Sequence, residues 1–418
     1  MIPHGGDGTV RAWIPRGLVE LDHESVGSPA PITRADGLCA LELSWREGRI
    51  HQVQPLVDGA AEPDGMLLPR LLEPHAHLDK AFSWSHYPNL SGTYAGAMAA
   101  NLKEHQSRTH EVVQARFERS MALAWRHGLR AVRTHIDSLG PGAQCSWDAI
   151  LEGGSRWQDR ITVQPVALVP VEHWSSSDGE QLAARVAASG GLLGGVIGPP
   201  CSGRAPRQAL QQLLALADRL GCGVDLHIDE ASFGPAAALF QLMRVLERMS
   251  VSVPIICSHA SSLSLLKASR LQRLAERMAR HDVQVVALPL TNGWLLGRQD
   301  FTTPLRRPLA PIRQLQLAGV EVAVGGDNVQ DPWFPAGNFD PLALMAASLA
   351  QAQLAPWERL GLAPFTTAAA RLMQMEWDGV FRVGAPADAM QLPVQSWAEA
   401  LATPPERRLL VRGLWVQD

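Results

Sequence analysis

Cysteine is scarce in this 418-residue chain, and it is not arranged for bridging. The five cysteines stand at 39, 145, 201, 222 and 257 and never form a CxxC pair. That argues against a disulfide framework and against a zinc ribbon, and makes a reducing cytoplasm the expected setting. Long apolar runs are missing too: none approaches the roughly 20 residues of a membrane-spanning helix. The opening MIPHGGDGTVRAW carries no basic-then-apolar stretch of the signal-peptide kind. Neither sign of charge dominates. The 37 Lys+Arg against 41 Asp+Glu leave a net charge of −4, so there is no electrostatic footprint for nucleic acid or an anionic membrane, and neither is expected as a partner. Lysine occurs only at 80, 103 and 267. Tyrosine occurs twice against thirteen tryptophans, a bias we attribute to a GC-rich genome. Internal repeats and low-complexity tracts are absent.

What is present is an ordinary globular composition, 46% hydrophobic and 19% charged. The length suits one large barrel domain or two to three smaller ones. Residues 1–65 read as short β segments, with LCALELSW (38–45) alternating and RIHQVQPLV after a Glu-Gly turn. An apolar run follows at 66–77. Further buried, strand-like runs lie near 130–136, 161–169, 194–198, 223–228, 253–258, 283–288 and 320–325. Helical stretches separate most of them: 94–106 with 110–128, then 179–189, 206–221, 236–250, 265–281, 312–319 and 341–354, several ending at Gly. These boundaries are good to about ±4 residues. Eight strands, mostly with a helix between, predict an α/β protein built as a (β/α)8 TIM barrel over 66–374. A doubly wound open sheet would have fewer strands and a Gly-rich first turn. The pattern returns to β in GVFRVGAPADAMQL and RRLLVRGLWVQD. We therefore expect 1–65 and 375–418 to form together a small β-sandwich domain.

The residues that carry chemistry begin with His75-Ala76-His77. On a strand, i and i+2 face the same way, so two imidazoles can meet one metal ion. Alone, HxH serves equally for two satisfied polar histidines at a barrel mouth. His227 ends the run GVDLHI, where it can be a further neutral ligand, and Glu230 follows where a proton shuttle could stand. His259 ends IICSHA and can orient a water. Asp327 ends VEVAVGGD, where a carboxylate can ligate metal and take a proton from water. Taken singly, each has a plainer reading as a core-edge or loop residue. Together all fall at the C-terminal ends of predicted strands, the catalytic rim of a barrel. His135, in RTHID, also ends a strand and is expected to back the ligands. Histidines 23, 51, 105, 110, 127 and 281 lie on predicted helices or peripheral segments and are expected to be solvated.

EPHAHLDKAF, RTHID, DLHIDE, SHA, PLTNGWLLGR and GGDNVQDPWFPAGNFDPL occur in that order over 66–345. They resemble the bacterial cytosine deaminase branch of the amidohydrolase superfamily, and GAPADAMQL resembles the closing strand of that family's small β domain. The resemblance implies one divalent metal ion, Zn(II) or Fe(II), held by His75, His77, His227 and Asp327. It implies Glu230 as the acid/base shuttle, His259 as the group steadying the hydroxide, and Asp327 as acceptor of the water proton. Binuclear relatives use a carboxylated Lys at the fourth strand, and this chain has none between 104 and 266. The other zinc deaminase design, H-x-E with P-C-x-x-C, is absent, since Pro200-Cys201 has no second Cys.

Two positions depart from the cytosine pattern. Where that enzyme has a Gln holding the pyrimidine edge, this chain has Val171, in Pro170-Val171-Glu172. The Asp pair after the eighth strand reads Asp327-Asn328, which resembles relatives acting on N-substituted amino-triazines, and Asn offers donor and acceptor together. Val171, Asn328 and Trp333 are taken as substrate-binding positions. Trp333 and Trp294 can stack on a flat ring or simply pack. Lys80 either reaches the pocket or forms a rim salt bridge. The expected activity is release of ammonia from an amino-substituted heterocycle such as a pyrimidine. The alternatives are another C–N bond, in an N-substituted amino-triazine or a cyclic amide, and, behind both, a non-catalytic barrel. A small heterocycle is the expected partner, in a homo-oligomer.

Overall fold

The computed structural model describes residues 5–21, 31, 33–56 and 62–416. His23 and the ends of RIHQVQPLV and RRLLVRGLWVQD lie outside the described residues. In chain order the strands are β1 (Gly8–Pro15), β2 (Leu38–Arg46), β3 (Arg49–Pro55), β4 (Met66–Pro69), β5 (Leu71–Ala76), β6 (Leu129–Asp137), β7 (Thr162–Leu168) and β8 (Leu192–Ile197). They continue with β9 (Val224–Ile228), β10 (Ile255–His259), β11 (Val283–Ala287), β12 (Val322–Val324), β13 (Ala389–Leu392), β14 (Arg408–Val411) and β15 (Leu414–Trp415).

Two sheets result. Seven strands run in the order β15-β14-β13-β4-β1-β2-β3, so the two ends of the chain share one sheet, as expected. The segment Gly384–Ala387 bonds to Gly48 and Ile50 on one side and to Gly413 on the other, which folds the sheet back on itself. Its core holds Leu41, Leu43 and Trp45 of β2 with Trp377 and Phe381. The other sheet runs β5 to β12 in sequence order, eight strands, as the barrel reading requires. It closes where Asp327 N–H donates to the His75 carbonyl at 2.9 Å, a parallel bridge of Ala76 with Asp327.

The apolar run at 66–77, taken from the sequence as one barrel strand, is two. Met66–Pro69 pairs antiparallel with β13 in the small sheet, and only Leu71–Ala76 belongs to the barrel. Both pieces are buried throughout, and the break falls at Arg70, which is itself buried. The chain divides into two compact units: Met1–Leu72, Ala124–Arg130 and Asp340–Asp418 in one, Glu73–Leu123 and Ala131–Phe339 in the other. Residues 340–374, placed with the barrel by sequence pattern, thus fall in the unit that holds both chain ends. There, helix Pro341–Ala352 packs on helix Trp397–Ala402.

The strands at the middle of the barrel sheet are buried on both faces: every residue of β9 and β10 is buried, the signature of a parallel sheet flanked by helices. The helices follow from their spacing. Ala268–Arg280 buries Leu271, Leu274, Ala275 and Met278 at i, i+3, i+4 and i+7. Helix Ala143–Trp157 has no counterpart in the sequence reading. Gly153 and Gly154 sit in its interior, where each costs about 1 kcal/mol of helix propensity. Gly153 is there because a Cβ would lie 2.4 Å from the Phe117 ring, so tertiary packing overrides propensity. Among the described residues no helix is long and apolar enough to cross a membrane.

Candidate active site

The C-terminal ends of β5, β6, β9 and β10 and the segment after β12 bring together His75, His77, His135, His227, His259 and Asp327. The His75 and His135 rings stack at 3.8 Å, and His227 lies 4.6 Å from His75 and 4.9 Å from His259. His259 and Asp327 have φ of 69° and 64°, conformations rare for non-glycine residues and typical of strained functional turns.

The lone pairs converge. His77 Nε2 lies 3.3 Å from His227 Nε2 and 3.3 Å from Asp327 Oδ1, and His75 Nε2 lies 3.6 Å from the same oxygen. Donors about 2.0–2.1 Å from one tetrahedral ion stand roughly 3.3 Å apart, so the spacing fits a shared cation. Unpartnered atoms point the same way: His75 Nε2 and both Asp327 oxygens are buried without a hydrogen-bond partner, a costly arrangement unless something joins them. Three buried His/Asp groups have ligand atoms within 4.8 Å of one another: His75/His77/Asp327, His75/His227/His259 and His75/His135/Asp225.

Hydrogen bonds choose among these. Ser258 Oγ donates to Asp225 Oδ1 at 2.7 Å, so it must accept from His75 Nδ1 at 2.9 Å, which leaves the lone pair of His75 on Nε2. Asp225 is also held by Arg133 at 3.1 Å. Its carboxyl is pulled down to about 2: burial raises it, but His135, Arg133 and the Ser258 bond outweigh burial. At His259, Asn292 Nδ2 can only donate, so Nδ1, 3.0 Å away, accepts and the proton sits on Nε2. That Nε2 has no partner. His259 therefore offers the site an N–H, where His75 offers a lone pair.

Charge states follow from burial. Desolvation, then repulsion from neighbouring rings, holds His75 and His227 well below the usual imidazole range, and His259 is lowered to about 4. All three are neutral at physiological pH, as ligation requires. Burial pushes Asp327 up, but the neighbouring His77 and His259 more than offset it and keep it anionic. Glu230 goes the other way: burial first, then the Asp327 charge, raise its carboxyl well above the ordinary range. Its Oε1 lies 3.3 Å from Asn292 Nδ2 and 3.4 Å from His259 Nδ1. Two carboxyls with opposed shifts are the pattern of an acid paired with a base. We expect Asn292→Leu to keep its ion while lowering turnover about 10–100-fold, because His259 loses the donor that sets its tautomer. Elemental analysis beside kcat separates the two effects.

A cavity of about 310 Å³ opens onto this centre, reached by His77, His227, Glu230, His259 and Asp327. This size suits a small-molecule site.

A family model described as the amidohydrolase family matches residues 168–418, more than half of the chain. The chain belongs to the amidohydrolase family. A pterin deaminase of Rhizobium rhizogenes is 28% identical to this amidohydrolase over 388 residues, covering 90% of this chain and 88% of its own length. An N-isopropylammelide isopropyl amidohydrolase of Pseudomonas sp. (strain ADP) is 22% identical over 361 residues, covering 82% of this chain and 85% of its own. Among solved structures, a 5-methylcytosine deaminase from Klebsiella pneumoniae superposes with a TM-score of 0.81 at 22% identity, over 98% of each chain. That likeness establishes the fold.

The remaining expected site residues of the amidohydrolase divide. Asn328 and Trp333 line the cavity. The Asn328 amide is oriented by Asp331, which accepts from Nδ2 at 2.8 Å, and by Thr291, which donates to Oδ1 at 3.4 Å. Trp333 meets Tyr94 edge-on at 4.9 Å, and Trp294 packs with it against Ala97, Leu295 and Leu296. Val171, expected against substrate, is corrected: it is fully buried over Gly195, and Leu168, Val169 and Pro170 form the wall there. The chain enters a short helical turn at Val171–Ser175, which turns this side chain into the core. Lys80 combines both of its readings, lining the cavity and pairing with Asp137 at 2.8 Å. His105 is a second correction. It is buried, lines the cavity and accepts from Gly142 N–H at 3.3 Å, because helix Tyr94–Gln106 turns that face inward.

Asn292 and Glu73 have no role in the sequence reading. Asn292 lies inside the quoted PLTNGWLLGR. Glu73 accepts from Gly326 N–H at 3.0 Å and His75 N–H at 3.1 Å, tying β5 to the loop that carries Asp327. Burial raises it to about 8. Its signal was a carboxylate inside an otherwise apolar run.

Proposed function

We propose that this member of the amidohydrolase family is a hydrolytic deaminase. It replaces the exocyclic amine of a nitrogen heterocycle by oxygen and releases ammonia. The carrying observation is that a proton-holding Glu230, an N–H-bearing His259 and an anionic Asp327 face one cavity beside three converging imidazoles. His75, His77, His227 and Asp327 would hold one divalent ion, Zn(II) or Fe(II), since the His3Asp donor set suits either. When bound, it supplies a Lewis acid that makes water nucleophilic near neutral pH.

The other work belongs to side chains. Asp327 takes the proton the attacking water gives up. Glu230 protonates the ring nitrogen beside the amino-bearing carbon, which makes that carbon electrophilic. His259 donates its Nε2–H to the oxygen as the new C–O bond forms. Glu230, now a carboxylate, takes the remaining proton from the new hydroxyl and carries it to the amine; the C–N bond breaks, ammonia leaves, and the proton held by Asp327 returns to Glu230. One water is consumed and one oxo group formed. Lys80 and Asn328 supply donors for a ring oxo group. The reading that fits these parts, and the names of the relatives, is a 4-amino-2-oxo or 2-amino-4-oxo pyrimidine ring, alone or fused.

The test is ammonia release from cytosine and from 2-amino-4-oxopteridine by protein loaded separately with Zn(II) and Fe(II), with Glu230→Gln as blank. Ammonia absent from the blank is the expected result. A second reading, hydrolysis of an N-substituted amino-triazine, is favoured by Asn328 and by the 22%-identical relative. Alkylamine released from such a triazine, with no ammonia from the other two compounds, would replace the first reading by the second.

A further inference from the structure

Twelve large hydrophobic side chains are exposed among the described residues, and four of them, Met98, Leu102, Leu139 and Val196, border this one cavity. They are 39%, 55%, 40% and 39% open to solvent. Single exposed hydrophobics are ordinary; several meeting around one opening mark a binding surface. Helix Tyr94–Gln106 explains half of the arrangement. Tyr94, Met98, Asn101, Leu102 and His105 all line the cavity, spaced as one face of a helix. That face grades from the Tyr94 end beside Trp333 to the open Leu102. Leu139, in the loop after β6, and Val196 of β8 complete the rim. The cavity therefore has a polar inner end and an apolar mouth.

No charged group among the lining residues is free at that mouth. The Lys80 charge is balanced by Asp137, which also binds Arg108 at 2.8 Å, while its other N–H groups stay available as donors. Glu230 stands with Asn292 and His259. Among the lining residues, a ligand carrying its own charge outward would meet no unpaired opposite charge.

We infer that the mouth is a subsite for an uncharged, apolar arm on the substrate, attached to the ring edge remote from the reacting amine. The occupant is assigned to the substrate because the four side chains share one cavity with Glu230, His259 and Asp327. A molecule reacting at the inner end reaches outward to them. This inference rests on the proposed deaminase reading for the identity of the ring, but not for the apolar contact itself. The substrate class narrows accordingly, to amino-oxo heterocycles with an alkyl or aryl substituent.

The test compares 2-amino-4-oxopteridine with its 6-butyl and 6-(3-carboxypropyl) derivatives. Each buried methylene contributes about fourfold, and the side chains are half open. The butyl compound should thus exceed the parent in kcat/KM by roughly 10–100-fold, with the carboxylate compound no better than the parent. In Leu102→Asp the butyl-to-parent ratio should fall at least tenfold. The exposed site should accept that change without unfolding, and a thermal melt checks this. Calorimetric binding of 6-butyl-2,4-dioxopteridine, the product form, is measured alongside. If no compound is turned over but the product form binds and Leu102→Asp weakens it at least tenfold, the subsite stands and the deaminase reading falls. Turnover with no preference for butyl, a carboxylate arm that does as well, or a ratio unchanged in Leu102→Asp would overturn the subsite.

Discussion

Glu230→Gln should bind its ion, keep its fold and lose turnover by about 10²–10⁴-fold, the usual contribution of a positioned general acid or base. The substitution is nearly isosteric. Burial and the nearby Asp327 charge keep the native carboxyl protonated well beyond the usual range, so an uncharged amide matches its resting state. Glutamine can still hydrogen-bond a ring nitrogen, but it has no proton to transfer and cannot relay one to the leaving amine. The loss should therefore fall on kcat more than on KM, with metal content by elemental analysis and the circular dichroism spectrum unchanged. Activity within threefold of wild type would remove Glu230 from the shuttle role and with it the deaminase mechanism.

His227→Ala should bind the ion roughly 100-fold or more weakly and lose activity with it. His227 Nε2 stands 3.3 Å from His77 Nε2, close to the spacing of two nitrogens on one tetrahedral ion, although without an ion an N–H on one ring would also bridge it. Truncation leaves His75, His77 and Asp327 as an incomplete set. The contrasting variant is His135→Asn, which should retain the ion. His135 lies face-on to His75, and its neighbour Asp225 is already held by Arg133 and Ser258. Elemental analysis of dialysed protein reads both. A full ion complement in His227→Ala, or its loss in His135→Asn, would shift the ligand set from the His77/Asp327 side to the His75/His135/Asp225 group.

Much of the centre was legible because its rules are local. The i, i+2 geometry of a strand places His75 and His77 on one face whatever the rest of the chain does. A short apolar run ending in His or Asp announces a strand end, as at His227, His259 and Asp327. Eight such runs with helices between them imply a barrel whose strand ends meet. Helices with unbroken periodicity, such as Ala268–Arg280, were equally readable.

Where two outcomes share one local pattern, the chain alone could not choose. Met66–Pro69 and Leu71–Ala76 are equally buried, and only pairing with β13 sends the first into the other sheet. Helix Ala143–Trp157 carries glycines that propensity disfavours, and Phe117, distant in sequence, is what requires one of them. Val171 and His105 exchanged places with expectation because inward or outward direction depends on how a turn or helix face docks.

The sequence by itself made legible the fold class, the strand-end histidines with Asp327, and Glu230 beside them, since these follow from local periodicity and from strand-end positions repeated along the chain. Only the tertiary structure decided which nitrogen of His75 is free, which proton His259 carries, and that Met98, Leu102, Leu139 and Val196 share one cavity mouth. Those depend on Ser258, Asn292 and helix packing across large sequence separations, where contact is a property of the closed barrel and not of any local segment.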